Sequence, residues 1–297
     1  MASARARTCA NRYKPGMQIG IILPQNEIGD DPGAIREFAQ AAEAAGFAHA
    51  VAFDHVVGKD DYASKPFHEP FVLFGFLAAC TEKIELVTGI VILPQRQTAL
   101  AAKQAAEVDM LSGGRLRLGL GVGWNPLEYE ALGEDFHTRG KRMDEQIPLM
   151  QRLWTERHVT AELGRERLSD VGFNPPAIRD IPVWLGGKGP AAVRRAVSWG
   201  SGLILSRRGS DAEGVAEFSD VRDRLYAAAD AAGRPREELG IELWVATKDG
   251  DADSWRREVE LWAGLGVTHL SVETYREAPL SPAEHVERVA HVAEAVL

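Results

Sequence analysis

Short β-branched runs alternate along the chain with longer segments whose apolar residues recur at helical spacing. Gln18–Leu23 (QIGIIL) is an apolar run stopped by Pro24, which predicts a buried strand. Asp31-Pro32 then opens a helix; Ile35, Phe38, Ala39, Ala42 and Ala45 mark one face, and Gly46 closes it. His49–Phe53 predicts a second strand ending in Asp54-His55, and Pro70–Cys80 a helix. The third strand reads continuously through Ile84–Leu93 (IELVTGIVIL) to Pro94, with a helix over 98–111. Leu116–Val122 predicts the fourth strand and Arg139–Trp154 its helix.

The second half repeats the rhythm. Strands are predicted at Ile181–Leu185, Leu203–Leu205, Ile241–Ala246 and His269–Val272. Helices follow at Ala191–Trp199, near 211–232, near 252–264 and at Pro282–Val296. Continuous apolar strands joined by helical crossovers imply a parallel sheet covered on its outer face. Eight such units predict an α/β chain folded as a closed (β/α)8 TIM barrel. Residues 156–180 break the rhythm with a possible hairpin around Gly164 and the run Asn174-Pro175-Pro176, an insertion before strand five. No Ser/Gly/Pro linker divides the chain, so a single domain is expected over 17–297. Residues 1–16 (MASARARTCANRYKPG) carry four basic residues, no acid and no apolar run, and are expected to be a flexible tail.

Composition narrows the class of protein. With 45% hydrophobic and 26% charged residues, the 297-residue chain is globular in character. A net charge of -9 argues against nucleic acid as a partner. Cys9 and Cys80 form neither a metal-ligand spacing nor a redox CxxC, and so few cysteines suit a reducing cytoplasm. No apolar run approaches the ~18 residues of a membrane span.

A barrel of this type does its chemistry at the C-terminal ends of its strands. Glycines end strands four and five (Gly121-Val122-Gly123, then Gly186-Gly187), where a backbone can approach a flat or anionic ligand closely. Gly186-Gly187-Lys188-Gly189 runs into a helix, and helix-start N–H groups plus a lysine suit a phosphate. His55 follows Asp54 at a strand end, which suits proton transfer near neutral pH. Trp124 is placed where a ligand can stack, with Asn125 and Arg207 as further candidates for a substrate pocket. Each feature also has a plainer reading. Such glycines serve as turn residues, a histidine can be a hydrogen-bonded loop residue, and Arg207-Arg208 can be a solvated pair. No histidine or carboxylate spacing suggests a metal, and Lys248 is the one lysine that invites a lyase reading.

These motifs carry a resemblance. FDH at 53–55, IELVTGIVILPQR at 84–96, SGGRLRLGLGVGWNPLEYEALGEDFHTRGKRMDEQIPLMQRLW at 112–154 and IPVWLGGKGPAAVRRAVSWGSG at 181–202 are similar to the luciferase-like flavin oxidoreductases. Within them the chain resembles the branch that uses the deazaflavin coenzyme F420. The resemblance implies that Asp54 and His55 flank the deazaflavin ring, with Asp54 orienting the histidine. It implies a bulge at Gly89-Ile90, which in relatives contains a non-proline cis peptide and backs the ring. It places Gly121, Val122 and Gly123 along the cofactor, and Gly186, Gly187 and Lys188 at its phosphate. Trp124 stands where some sugar-phosphate dehydrogenases of the family carry glutamate, which argues against that activity. The expected function is F420-dependent hydride transfer to or from a small organic substrate. The alternatives are an FMN-dependent monooxygenase fed by a separate reductase and a non-catalytic flavin-binding barrel. A homodimer, with a flavin or F420 reductase as a possible partner, completes the expectation.

Overall fold

The apolar runs of the chain pair in parallel, each joined to the next by a helix that covers the sheet. The computed structural model describes residues 16–58, 66–206, 209–248, 250–275 and 278–297. All but the last residue of the expected tail, and Arg207 with Arg208, lie outside them. The barrel strands are β1 (Gln18–Ile22), β2 (His49–Ala52), β3 (Glu85–Thr88) continued by β4 (Val91–Ile92), and β5 (Leu116–Gly121). After the insertion come β8 (Val183–Gly186), β9 (Gly202–Leu205), β10 (Gly240–Ala246) and β11 (His269–Glu273). Neighbours pair in chain order, and β11 returns to β1 through Gln18↔His269 to Ile22↔Glu273, closing an eight-position parallel barrel. The insertion is the antiparallel hairpin β6 (Val159–Leu163) and β7 (Glu166–Val171).

The outer helices are α2 (Pro32–Ala45), α3 (Pro70–Cys80), α4 (Thr98–Leu111), α6 (Arg139–Thr155), α7 (Pro190–Trp199), α8 (Ala212–Ala231), α9 (Ala252–Gly264) and α10 (Pro282–Val296). Two short helices, α1 (Gln25–Ile28) and α5 (Pro126–Ala131), sit in loops at the C-terminal ends of β1 and β5. The local signals for these helices are explicit. The Asp31 side chain caps α2 and Gly46 ends it in the left-handed region, while Ser281 and Glu284 form a reciprocal capping box on α10.

The third strand departs from the continuous run expected over Ile84–Leu93. It breaks at Gly89-Ile90, where the resemblance implies a bulge, and the peptide bond there is cis. Val87 faces Arg117 and Val91 faces Leu120, so four residues of this strand span three of β5, which is a bulge of one residue. Gly89 fits because a Cβ there would lie 2.5 Å from Val51 Cγ1 and 2.7 Å from Trp244 Cζ2.

Inside the barrel an apolar layer of Ile22, Val51, Val87, Trp184 and Ile204 lies toward the C-terminal ends, with Phe53, Ile90 and Trp244 packed on it. A polar layer lies nearer the N-terminal ends. Arg117 pairs with Glu242 and with Glu85 at 2.8 Å, and its guanidinium stacks 4.5 Å over Trp184. His49 Nε2 lies 2.8 Å from Ser271 Oγ, which donates to Glu242 at 2.7 Å. Burial works against the Arg117 charge, but the two glutamates more than offset it.

Burial, and then the Arg117 charge, push His49 and His269 well below the ordinary histidine value of 6.5. Both are therefore neutral when folded, and the unfolded chain takes up their protons below about 6.5. Their contribution is complete above that pH and is lost as pH falls. Urea unfolding of His49→Gln is expected to show a shallower decline of stability below pH 6.5, by up to about 1.4 kcal/mol per pH unit. An unchanged decline would mean that His49 is not the group taking up the proton.

Candidate active site

The C-terminal ends of the strands surround a cavity of about 440 Å³. Its walls are mostly apolar and aromatic, from Phe53, Phe67, Ile90, Trp124, Ile204 and Trp244. His55, Asn26, Ser206 and Lys188 add polar groups. Of the residues expected to form a site, Asp54, His55, Gly89, Ile90, Gly123, Trp124, Gly186, Gly187 and Lys188 all border this cavity.

Gln25 fixes the end of β2. Its amide oxygen accepts the Phe53 N–H at 2.6 Å from a fully buried position in α1. The next residue, Asp54, does not orient His55. Its carboxylate accepts from the Ile92 N–H at 2.8 Å and from Arg96 Nη2 at 2.9 Å, so it braces the strand beyond the bulge. Burial raises the Asp54 value, and Arg96 and the Ile92 N–H oppose that rise. The partner of His55 is instead Glu128 of α5, with Nδ1 and Oε1 3.2 Å apart. Neighbouring positions on a strand end point in different directions, which is why sequence adjacency misassigned this role. The His55 ring lies 4.7 Å from that of Phe67 and 6.2 Å from that of Trp124, which is 61% exposed at the mouth.

The glycines at the ends of strands four and five have a packing role that their spacing did not show. A Cβ on Gly121 would sit 2.3 Å from Ile90 Cδ1, and one on Gly186 would sit 3.0 Å from Ile90 Cγ2. Ile90 fills the space beside Gly121 and Gly186, while Gly186 and Gly187 still border the cavity. Gly123, at φ 64°, stands against Ile92 in the same way. Val122 turns its carbonyl to the Tyr129 hydroxyl at 2.6 Å. Asn125 is the cap of α5, its side chain accepting from the Leu127 N–H at 3.1 Å, so it does not line the cavity. Lys188 borders the cavity next to the start of α7, and its ammonium is paired with Glu217 of α8.

Ile90's dependence on glycine gives a direct test. Gly121→Ala is expected to cost about 1–3 kcal/mol in urea unfolding through overpacking. Ile90→Ala removes the two nearest atoms, and the double variant should recover most of the loss, which a double-mutant cycle measures. Simple additivity of the two changes would refute the contact.

Sequence reading missed Glu128, Gln25, Arg96, Phe67 and Trp244 as parts of this site. Glu128 was visible only as one acid in the run WNPLEYEALG, without anything local to single it out. Trp244 is fixed from below, its indole N–H donating to Glu242 Oε1 at 3.1 Å. Among the described residues no cluster of ligating side chains could hold a metal ion. No helix among them is long and apolar enough to cross a membrane.

The chain and its barrel match known proteins. The luciferase-like monooxygenase family model matches residues 17–295, and the chain belongs to that family. An F420-dependent hydroxymycolic acid dehydrogenase of Mycobacterium tuberculosis is 29% identical over 275 residues, covering 90% of this chain and 74% of that one. An FMNH2-dependent dimethylsulfone monooxygenase of Pseudomonas fluorescens is 27% identical over 251 residues, covering 82% of this chain and 65% of that one. The solved structure of an F420-dependent secondary alcohol dehydrogenase superposes with a TM-score of 0.81, covering 95% of this chain and 98% of that one. At 16% identity that likeness concerns the fold. The family thus joins F420-dependent dehydrogenases and FMNH2-dependent monooxygenases around one barrel.

Proposed function

We propose that this protein is an F420-dependent oxidoreductase that passes a hydride between the deazaflavin and a small organic substrate. The observation that carries the reading is His55, an imidazole set against an aromatic cavity and engaged through Nδ1 by a buried carboxylate. The cavity suits a flat ring: its walls are aromatic, and the buried Asn26 Oδ1 is unbonded and can accept from a ring N–H or a substrate hydroxyl. When bound, the deazaflavin supplies the carbon that carries the hydride. The protein's own groups do the remaining work.

Ile90, packed on Gly121 and Gly186, forms a fixed wall on one side of the cavity. Phe53, Phe67, Trp124 and Trp244 keep water from the reacting face. His55 gives or takes the accompanying proton. Gly187, Lys188 and the start of α7 hold the phosphate, which must compete with Glu217 for the lysine. The reading includes a homodimer in a cytoplasmic setting and a separate reductase supplying reduced cofactor.

Titrating the purified protein with F420 and with FMN tests the proposal. Saturable F420 binding, followed by F420 oxidation or reduction with a carbonyl or alcohol substrate, is the expected result. Tight FMN binding without F420 binding would overturn it in favour of the monooxygenase reading.

A further inference from the structure

We propose that Glu128 is the positioning residue of this site: its carboxylate fixes the His55 imidazole by Nδ1 and assigns the proton chemistry to Nε2. The inference deepens the proposed function and rests on it for the step that His55 serves.

The geometry is specific. Glu128 Oε1 meets both His55 Nδ1, at 3.2 Å, and the N–H of Val56, at 3.0 Å. It therefore holds the ring and the backbone that carries the ring. The Glu128 side chain is wholly buried, while that of His55 is 17% exposed toward the cavity. The helix presenting Glu128 is itself anchored. Asn125 caps α5, and the Tyr129 hydroxyl donates to the Val122 carbonyl at the end of β5. The run Asn125, Pro126, Glu128, Tyr129 thus builds one short helix that sends one carboxylate across to the end of β2.

The charge on that carboxylate follows from its neighbours. Burial pushes Glu128 up, but the contacts to His55, the Val56 N–H and Gln95 leave it below the ordinary carboxylate value. An ionised Glu128 only accepts, so Nδ1 carries the hydrogen of the pair. Neutral His55 then has Nε2 as its base nitrogen, and protonated His55 has Nε2–H as its acid. The charged groups around the ring are few among the described residues. Glu128 faces it from α5, and Asp54, the chain neighbour of His55, pairs with Arg96, which also pairs with Glu69. Among the described residues the imidazole also meets the rings of Phe67 and Trp124. Asp54 is taken up by Arg96 and Ile92, and the carboxylate seen to meet the imidazole among the described residues is Glu128.

The test begins without cofactor or substrate. Long-range ¹H–¹⁵N spectra of labelled protein resolve the ring nitrogens, and a His55→Ala spectrum identifies His55 among the eight histidines. The wild-type ring is expected as the Nδ1–H form when neutral. Glu128→Leu should lose that preference. Glu128→Gln keeps an acceptor but loses the charge, so the tautomer persists. In Glu128→Gln the pH profile of hydride transfer should move to lower pH, and its maximum should fall by roughly 10- to 100-fold, the range for outer partners that orient a histidine. Glu128→Asp should restore part of the rate. A wild-type ring in the Nε2–H form, or an unmoved pH profile in Glu128→Gln, overturns the inference. If Glu128→Leu does not fold, the wild-type and Glu128→Gln spectra still decide. Absence of F420 turnover with the Nδ1–H form present and lost in Glu128→Leu would count against the proposed function and leave the positioning role standing.

Discussion

His55→Ala is expected to slow single-turnover hydride transfer by about 10²–10⁴-fold, the usual worth of a positioned acid or base. Cofactor affinity should change little, because Phe53, Ile90, Trp124 and Trp244 supply most of the cavity wall that a bound ring would meet. The separation of the two effects is the informative part. A binding residue lost from an aromatic cavity weakens affinity and rate together, whereas a proton donor matters in the transition state alone. Stopped-flow absorbance of F420 measures the rate, and equilibrium fluorescence measures the affinity. An unchanged rate would remove His55 from the mechanism. Because the substitution also strips Glu128 of a partner, thermal melts must accompany the kinetics, and a loss of folding would show there first.

Arg117→Met should cost about 3–5 kcal/mol of unfolding free energy, since it strands a buried carboxylate. Glu242 is fully buried and paired with Arg117. It also accepts from Ser271 and from the indole of Trp244, so its displacement reaches the cavity wall. Urea unfolding followed by circular dichroism measures the loss. A cost below about 1 kcal/mol would place this pair with surface ion pairs. The pair illustrates how the barrel fills its interior: the apolar layer lies beneath the cavity, and a charged layer lies below that, with Arg117 of β5 paired to Glu85 of β3 and Glu242 of β10. Arg117 and Glu242 are 125 residues apart in the chain, and barrel closure brings them together.

The chain order of strands and helices was legible because it depends on local periodicity. Pro70–Cys80, Thr98–Leu111 and Pro282–Val296 occupy the spans that apolar spacing and caps predict. The position of the cavity was legible too, because strand ends follow from strand order. The break in the third strand was legible through the resemblance alone, which implies the bulge at Gly89-Ile90; IELVTGIVIL by itself reads as one apolar run, because the bulge is set by pairing with β5.

By itself, then, the sequence determined the eight-unit α/β barrel, the insertion before strand five, and the set of strand-end residues from which a site must be drawn. Tertiary structure decided which of those residues work together. Glu128 lies 73 residues from His55, and nothing in either local segment encodes their meeting. That Gly121 and Gly186 also make room for Ile90, from another strand, shows only in the folded barrel. The physical reason is the same in each case. Backbone periodicity is a short-range property, whereas the direction of a strand-end side chain and the neighbour it meets are fixed only when the barrel closes.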